Sequence, residues 1–63
     1  MHYKIYNTKE FERLLKKNGY ILLRYNGSHK IWGKEGFDHI SVPQSLNAMV
    51  VRRLIKSNNL KEY

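Results

Sequence analysis

Sixty-three residues without a cysteine make one domain at most, and a chain this short buries only about 60 % of the surface it exposes when unfolded. Twelve Lys and Arg against five Asp and Glu leave a net charge of +7 spread along the whole chain, which points to a basic folded surface suited to nucleic acid or to an acidic protein partner. No apolar run approaches the roughly 18 residues that span a bilayer, none follows Met1-His2-Tyr3-Lys4 as in a secretory leader, and no His/Cys cluster has zinc spacing. The expectation is therefore a cytoplasmic, soluble protein with no membrane partner, metal or cofactor.

Asn7-Thr8-Lys9-Glu10 reads as a helix start, with Asn7 as N-cap and Glu10 as its capping-box partner. Phe11, Leu14 and Leu15 fall on one face of the helix that follows. Lys16 and Lys17 lie in its last turn, where positive charge favours the dipole, and Gly19 closes it as a left-handed residue. The spacing predicts a helix over about Thr8 to Asn18.

Tyr20 to Tyr25, rich in aromatic and aliphatic residues, reads as a strand. Asn26-Gly27 marks a tight hairpin turn because both residues tolerate positive φ, so His29 opens a second strand running from about Ser28 to Trp32. Gly33-Lys34-Glu35-Gly36 has turn composition, and Phe37 to Val42 alternates as a third strand with Ile40 and Val42 on one face. Pro43 ends it. A second helix lies between Gln44 and Asn58, entered near Asn47, with Val51, Leu54 and Ile55 as its buried stripe. Asn59 terminates it and Leu60 folds back. The order is helix, three-stranded antiparallel meander, helix, so the fold class is α+β, with residues 1–63 as a single domain. Strand parity leaves open which face Ile31 and Trp32 occupy.

Ser28-His29-Lys30 behind the turn sets a hydroxyl, an imidazole and an ammonium at one end of the sheet. Histidine accepts and donates protons near neutrality. RNA is cut without a metal when its own 2′-hydroxyl attacks the adjacent phosphorus, a route that needs a base, an acid and positive charge around the phosphorane. His29 is the candidate for proton transfer, and Arg24 and Lys30 are candidates for the phosphoryl charge. His39 is a candidate second titrating group, against the duller reading of a solvent-facing residue. Ser28 reads as a turn or phosphate donor rather than a nucleophile, and a metal site built from His29, His39 and Asp38 has no supporting spacing. Arg13 and Lys17, like Arg52 and Lys56, are like charges four apart on the two helices, a repulsion that a phosphate backbone relieves. Tyr3, Tyr6, Tyr20, Tyr25 and Trp32 are interleaved with the basic residues and suit base stacking, although Tyr20 and Trp32 also suit the core of so small a domain.

Taken together, Arg24-x-x-Gly27-Ser28-His29, the aromatic Trp32, the strand end Ile40-Ser41-Val42-Pro43 and the closing Arg52-Arg53-Leu54-Ile55-Lys56 helix resemble the HicA toxins of bacterial toxin-antitoxin pairs. The leading Lys9-Glu10-Phe11-x-x-Leu14-Leu15 helix, ending in Asn18-Gly19-Tyr20, extends the resemblance over essentially the whole chain. It implies an α-β-β-β-α domain similar to a double-stranded-RNA-binding domain, with both helices on one face of the sheet. It implies the toxin of a type II pair, an mRNA-cleaving, metal-independent endoribonuclease held inactive by a HicB-type antitoxin. The catalytic His of the family maps onto His29; the residues themselves, by turn position and charge, give Arg24, Gly27, Ser28, Lys30, Arg13, Lys17, Arg52 and Lys56 as the RNA- and phosphate-binding set. Many relatives carry a His or basic residue directly after the catalytic one and a His after the Val-Pro pair; here Lys30 and Gln44-Ser45 stand at those places. The alternative classes are a non-catalytic RNA-binding module and a pure interaction protein docking an acidic partner.

Overall fold

The computed structural model describes residues 6–62; Tyr3 and the rest of the leading segment before Tyr6 lie outside the described residues. The chain runs α1 (Thr8–Lys17), β1 (Ile21–Asn26), β2 (His29–Gly33), β3 (Ile40–Pro43) and α2 (Ala48–Ser57). The three strands form one antiparallel sheet in the order β1-β2-β3. No helix among the described residues is long and apolar enough to cross a membrane.

Both helices start and stop where local chemistry dictates. Asn7 Oδ1 accepts the Glu10 N–H at 2.8 Å while the Asn7 N–H donates to Glu10 Oε1 at 3.2 Å, a complete capping box. Asn47 Oδ1 accepts the Val50 N–H at 2.9 Å at the start of α2. At the other end of α1 the Gly19 N–H donates to Lys16 O and the Tyr20 N–H to Leu15 O, with Gly19 at φ 91°. This is a Schellman closure, and α2 repeats it: Asn59, at φ 53°, donates to Lys56 O and Leu60 to Ile55 O. The residue after each left-handed position, Tyr20 or Leu60, is buried. Tyr20 therefore belongs to the end of α1, and β1 begins one residue later than the sequence suggests because the Tyr20 N–H is already committed to the helix.

The hairpin turn also shifts by one residue. Asn26 pairs with His29, so the two central turn residues are Gly27 and Ser28. Gly27 at φ 63° supplies the positive φ at the first of them, the pattern of a type II′ turn that matches strand twist. β3 is shorter than the expected Phe37 to Val42. The Phe37 N–H closes a turn onto Lys34 O at 3.0 Å with Gly36 at φ 83°, and pairing with β2 begins only at Ile40 opposite Trp32.

Phe11, Leu14 and Leu15 of α1, Val51 of α2, Trp32, Ile40 and Val42 of the sheet, and Tyr6, Tyr20 and Leu60 form one core, with Leu46, Leu54 and Ile55 packed at its margin. Both helices thus cover the same face of the sheet. Each fully buried side chain of this size contributes about 1.5–3 kcal/mol of transfer free energy. Strand parity now resolves: Trp32 enters the core with Ile40 as cross-strand partner, while Ile31, between Arg24 and Ser41, lies on the opposite face. The tail after α2 is held by Asn18, whose amide donates to Lys61 O at 2.9 Å and accepts the Lys61 N–H at 2.8 Å. The Tyr6 hydroxyl donates to Glu62 Oε1 at 2.8 Å, and burial with this carboxylate neighbour pushes the phenol up to about 12.

Candidate functional site

The face of the sheet away from the helices carries His29. Register places it opposite Asn26 on β1 and Pro43 on β3, at the hairpin end of the middle strand. The side chain is exposed and makes no hydrogen bond or ion pair among the described residues. Alternation along β2 puts His29, Ile31 and Gly33 on this open face and Lys30 and Trp32 on the helix-covered face.

Arg24 reaches the open face through an irregularity. The register steps from Leu22↔Trp32 directly to Arg24↔Ile31, which leaves Leu23 as an extra residue in a β-bulge. In an uninterrupted strand Leu22 and Arg24 share a face; the inserted residue puts Arg24 beside Ile31 on the side of His29. Arg24 lies diagonally from His29, a separation of about 7–8 Å between backbones that an arginine side chain bridges. The bulged Leu23 packs over Gly33, where an added Cβ would lie 2.5 Å from Leu23 Cδ1.

Lys30 has a different setting. Its ammonium donates to Glu12 Oε2 of α1 at 2.6 Å and lies 5.9 Å from the centre of the Tyr25 ring. The bond to Glu12 holds the Lys30 pKa above its ordinary value. His29 and Lys30, adjacent in sequence, therefore do not converge on one group from the same side. Lys30, Gly27 and Ser28 instead line a cleft of about 420 Å³ on the helix side of the hairpin, together with Thr8, Tyr25 and Gln44. Pro43, the register partner of His29, borders this cleft as well, so the two surfaces meet at the β2–β3 edge.

His39 is exposed and lies beside Gly33, its Cδ2 3.4 Å from where a Gly33 Cβ would be. Gly33 is four residues along β2 from His29, roughly 13 Å at strand rise. That is too far for both imidazoles to serve one phosphodiester. Arg13 and Lys17 lie on the exposed side of α1, and Arg52 and Lys56 on that of α2. Because the helices cover the other face, these four residues belong to a layer across the sheet from His29. Of the stacking candidates, Tyr6, Tyr20 and Trp32 are core residues, and Tyr25 is exposed. Among the described residues no group of three or more His, Asp or Glu side chains converges as metal ligands do. Sequence reasoning did not single out Leu23 or Phe37 as parts of a site; an isolated strand pattern gives no sign of a bulge, and Phe37 reads as a strand residue.

No curated protein and no solved structure matches the chain. A family model describing the HicA toxin of bacterial toxin-antitoxin matches residues 8–60, from the first residue of α1 to the buried Leu60 behind α2. The matched segment contains both helices, all three strands and the hairpin that carries His29, and on that extent this chain belongs to the HicA toxin family, as the toxin partner of a cognate antitoxin.

Proposed function

We propose that this toxin is a metal-independent endoribonuclease acting on mRNA in the cytoplasm, with His29 as its proton-transfer group. The observation that carries the reading is the placement of an exposed His29 and an exposed Arg24, diagonal to each other, on the sheet face away from the helices, in a chain of net charge +7. The RNA 2′-hydroxyl attacks the adjacent phosphorus and the bond to the 5′-oxygen breaks. This leaves a 2′,3′-cyclic phosphate upstream and a 5′-hydroxyl downstream. His29 serves one of the two proton transfers, and its neutral imidazole is suited to accept the 2′-hydroxyl proton. The Arg24 guanidinium, always charged and able to present a fork of donors, neutralises charge growing on the phosphorane oxygens. With His39 beside Gly33, four residues and roughly 13 Å along β2 from His29, water is the proton source for the departing oxygen.

Gly27 and Ser28 at the turn, and Lys30 in the adjoining cleft, hold the RNA where it passes round the sheet edge. Arg13, Lys17, Arg52 and Lys56 contribute long-range attraction from the helix layer. The HicB-type antitoxin, acidic where it faces this chain, inhibits by covering the open face.

Incubation of wild type and His29→Ala with an RNA and the matching DNA, in chelator, tests the reading. The expected result is cleavage of RNA alone, a cyclic phosphate on the upstream fragment, and a loss of about 10²–10⁴ in rate on substitution. Cleavage of the DNA would rule out 2′-hydroxyl attack. Undiminished RNA affinity with no cleavage by either protein would reduce the chain to a binding module.

A further inference from the structure

At the far end of the open face, away from the hairpin, Gly19, Ile21, Leu23, Gly33, the Lys34–Phe37 turn and His39 enclose a groove of about 400 Å³. Its volume falls within the range of small-ligand sites. Phe37 stands at its rim, 56 % exposed and outside the core. The turn that closes Phe37 onto Lys34 fixes the ring there, and the Lys34 ammonium sits 4.4 Å from the ring centre and 5.6 Å from that of Tyr20. The Lys34 stem passes over Gly19, 3.3 Å from where a Cβ would be, so the cation is held over the aromatic rings rather than left to wander. Ile21 and Leu23 form apolar walls, and Glu35 and His39 complete the lining.

A flat aromatic ring, apolar walls and the acidic Glu35 suit a nucleobase, and the Lys34 ammonium that would otherwise draw a phosphate is already held against the Phe37 and Tyr20 rings. Position agrees with chemistry. Ile21, Leu23 and Gly33 put one wall of the groove on the face of His29 and Arg24, and the Lys34–Phe37 turn, with Phe37 edge-on to Tyr20, closes it at the end of the sheet, so a single strand running across that face from the hairpin enters it after a short stretch. We propose that this groove is a base-binding subsite of the RNA surface, stacking one base on Phe37 and selecting, through Glu35, a base that presents N–H donors, guanine foremost because its N1–H and N2–H match a carboxylate in pairs. This rests on the nuclease reading only for its consequence, that cleavage is sequence-selective at a set distance from the groove; binding of the base stands apart from it.

The test uses the full chain and single-stranded oligonucleotides fully 2′-O-methylated, which bind but cannot be cut. Fluorescence anisotropy compares guanine-containing with uracil-only strands for wild type, Phe37→Ala, Phe37→Tyr and Glu35→Gln, with thermal unfolding to verify that each variant is folded. Phe37→Ala is expected to weaken binding of the guanine-containing strand roughly tenfold or more, Phe37→Tyr to retain it, and Glu35→Gln to erase the preference for guanine while leaving the uracil-only strand unchanged. Equal affinity of folded Phe37→Ala and wild type would overturn the subsite. So would a Phe37→Ala variant that keeps RNA affinity and loses antitoxin binding, which would make the groove a protein-docking surface. If wild type cuts no unmodified RNA yet binding still depends on Phe37, the subsite stands and the nuclease reading falls; cleavage with Phe37-independent binding gives the reverse.

Discussion

The two faces of the sheet divide the labour that the sequence interleaves. On the helix-covered face Trp32, Ile40 and Val42 are sealed under α1 and α2, and the one cation that β2 sends there, Lys30, is tied to Glu12. On the open face His29 and Arg24 stand in solvent, and among the described residues neither has an ion pair. Neighbours one residue apart along β2 thus have opposite fates: one face is occupied by packing and internal pairing, while the other keeps its polar groups available. In a domain with so thin a core, the stability of the first face is what allows the second to be left unsatisfied.

The largest expected effect breaks the covered face. Trp32→Ala should cost about 3–5 kcal/mol in chemical denaturation, enough to unfold much of so small a domain. Trp32→Phe should cost far less, since the buried Trp32 Nε1 makes no hydrogen bond among the described residues and so loses none. His29→Ala, in contrast, should leave the unfolding midpoint where it is; a shift comparable to that of Trp32→Ala would mean that the imidazole is a structural part after all.

The next effect separates two cations that the sequence makes look alike. Arg24→Ala should slow RNA cleavage by about 10²-fold, the loss of a charge-stabilising donor in the transition state, with little change in stability. Lys30→Ala should do the opposite in kind: a small loss of stability as Glu12 loses its partner, with kcat nearly retained. Equal losses of kcat from both substitutions would show that the hairpin's two sides act on the phosphate together.

The smallest effect sharpens the comparison at the domain's margin. The Tyr6 phenol titrates near 12 in the folded chain against an ordinary 10.0, so the native state holds this proton more tightly than the unfolded state. Its contribution is present in full below pH 10 and is lost as the pH climbs towards 12. Tyr6→Phe should flatten that alkaline decline and, by removing the bond to Glu62, lower stability near neutrality by about 1 kcal/mol. A pH profile of unfolding unchanged by the substitution would contradict the buried, carboxylate-bound phenol.

Much of the architecture was legible because it is written locally. Asn7 with Glu10, Gly19, Asn47, and Asn59 with Leu60 are short-range signals, each satisfying backbone groups that a helix end leaves open, and they mark the helices to within a residue. The hairpin was legible in kind but not in register: Asn26-Gly27 and Gly27-Ser28 both offer a tight turn, and only pairing across the strands chooses between them. Asn18 reads as a helix end, and its clasp on Lys61 spans 43 residues, beyond any local pattern. His29 was legible as a candidate from its place behind the turn. Its companions were not, since proximity in sequence grouped Lys30 and His39 with it, and the fold puts one on the other face and the other at the far end.

By itself the sequence determined the element order, the caps, the buried stripe of α1 and an imidazole at the head of the middle strand, because helix periodicity, turn chemistry and charge act over a few residues, whereas of the stripe expected on α2 only Val51 is buried and Leu54 and Ile55 are partly so. Tertiary structure decided which cations share a face with that imidazole. A side chain's face depends on strand pairing across the sheet, and a single bulged leucine reverses the parity that the linear pattern implies.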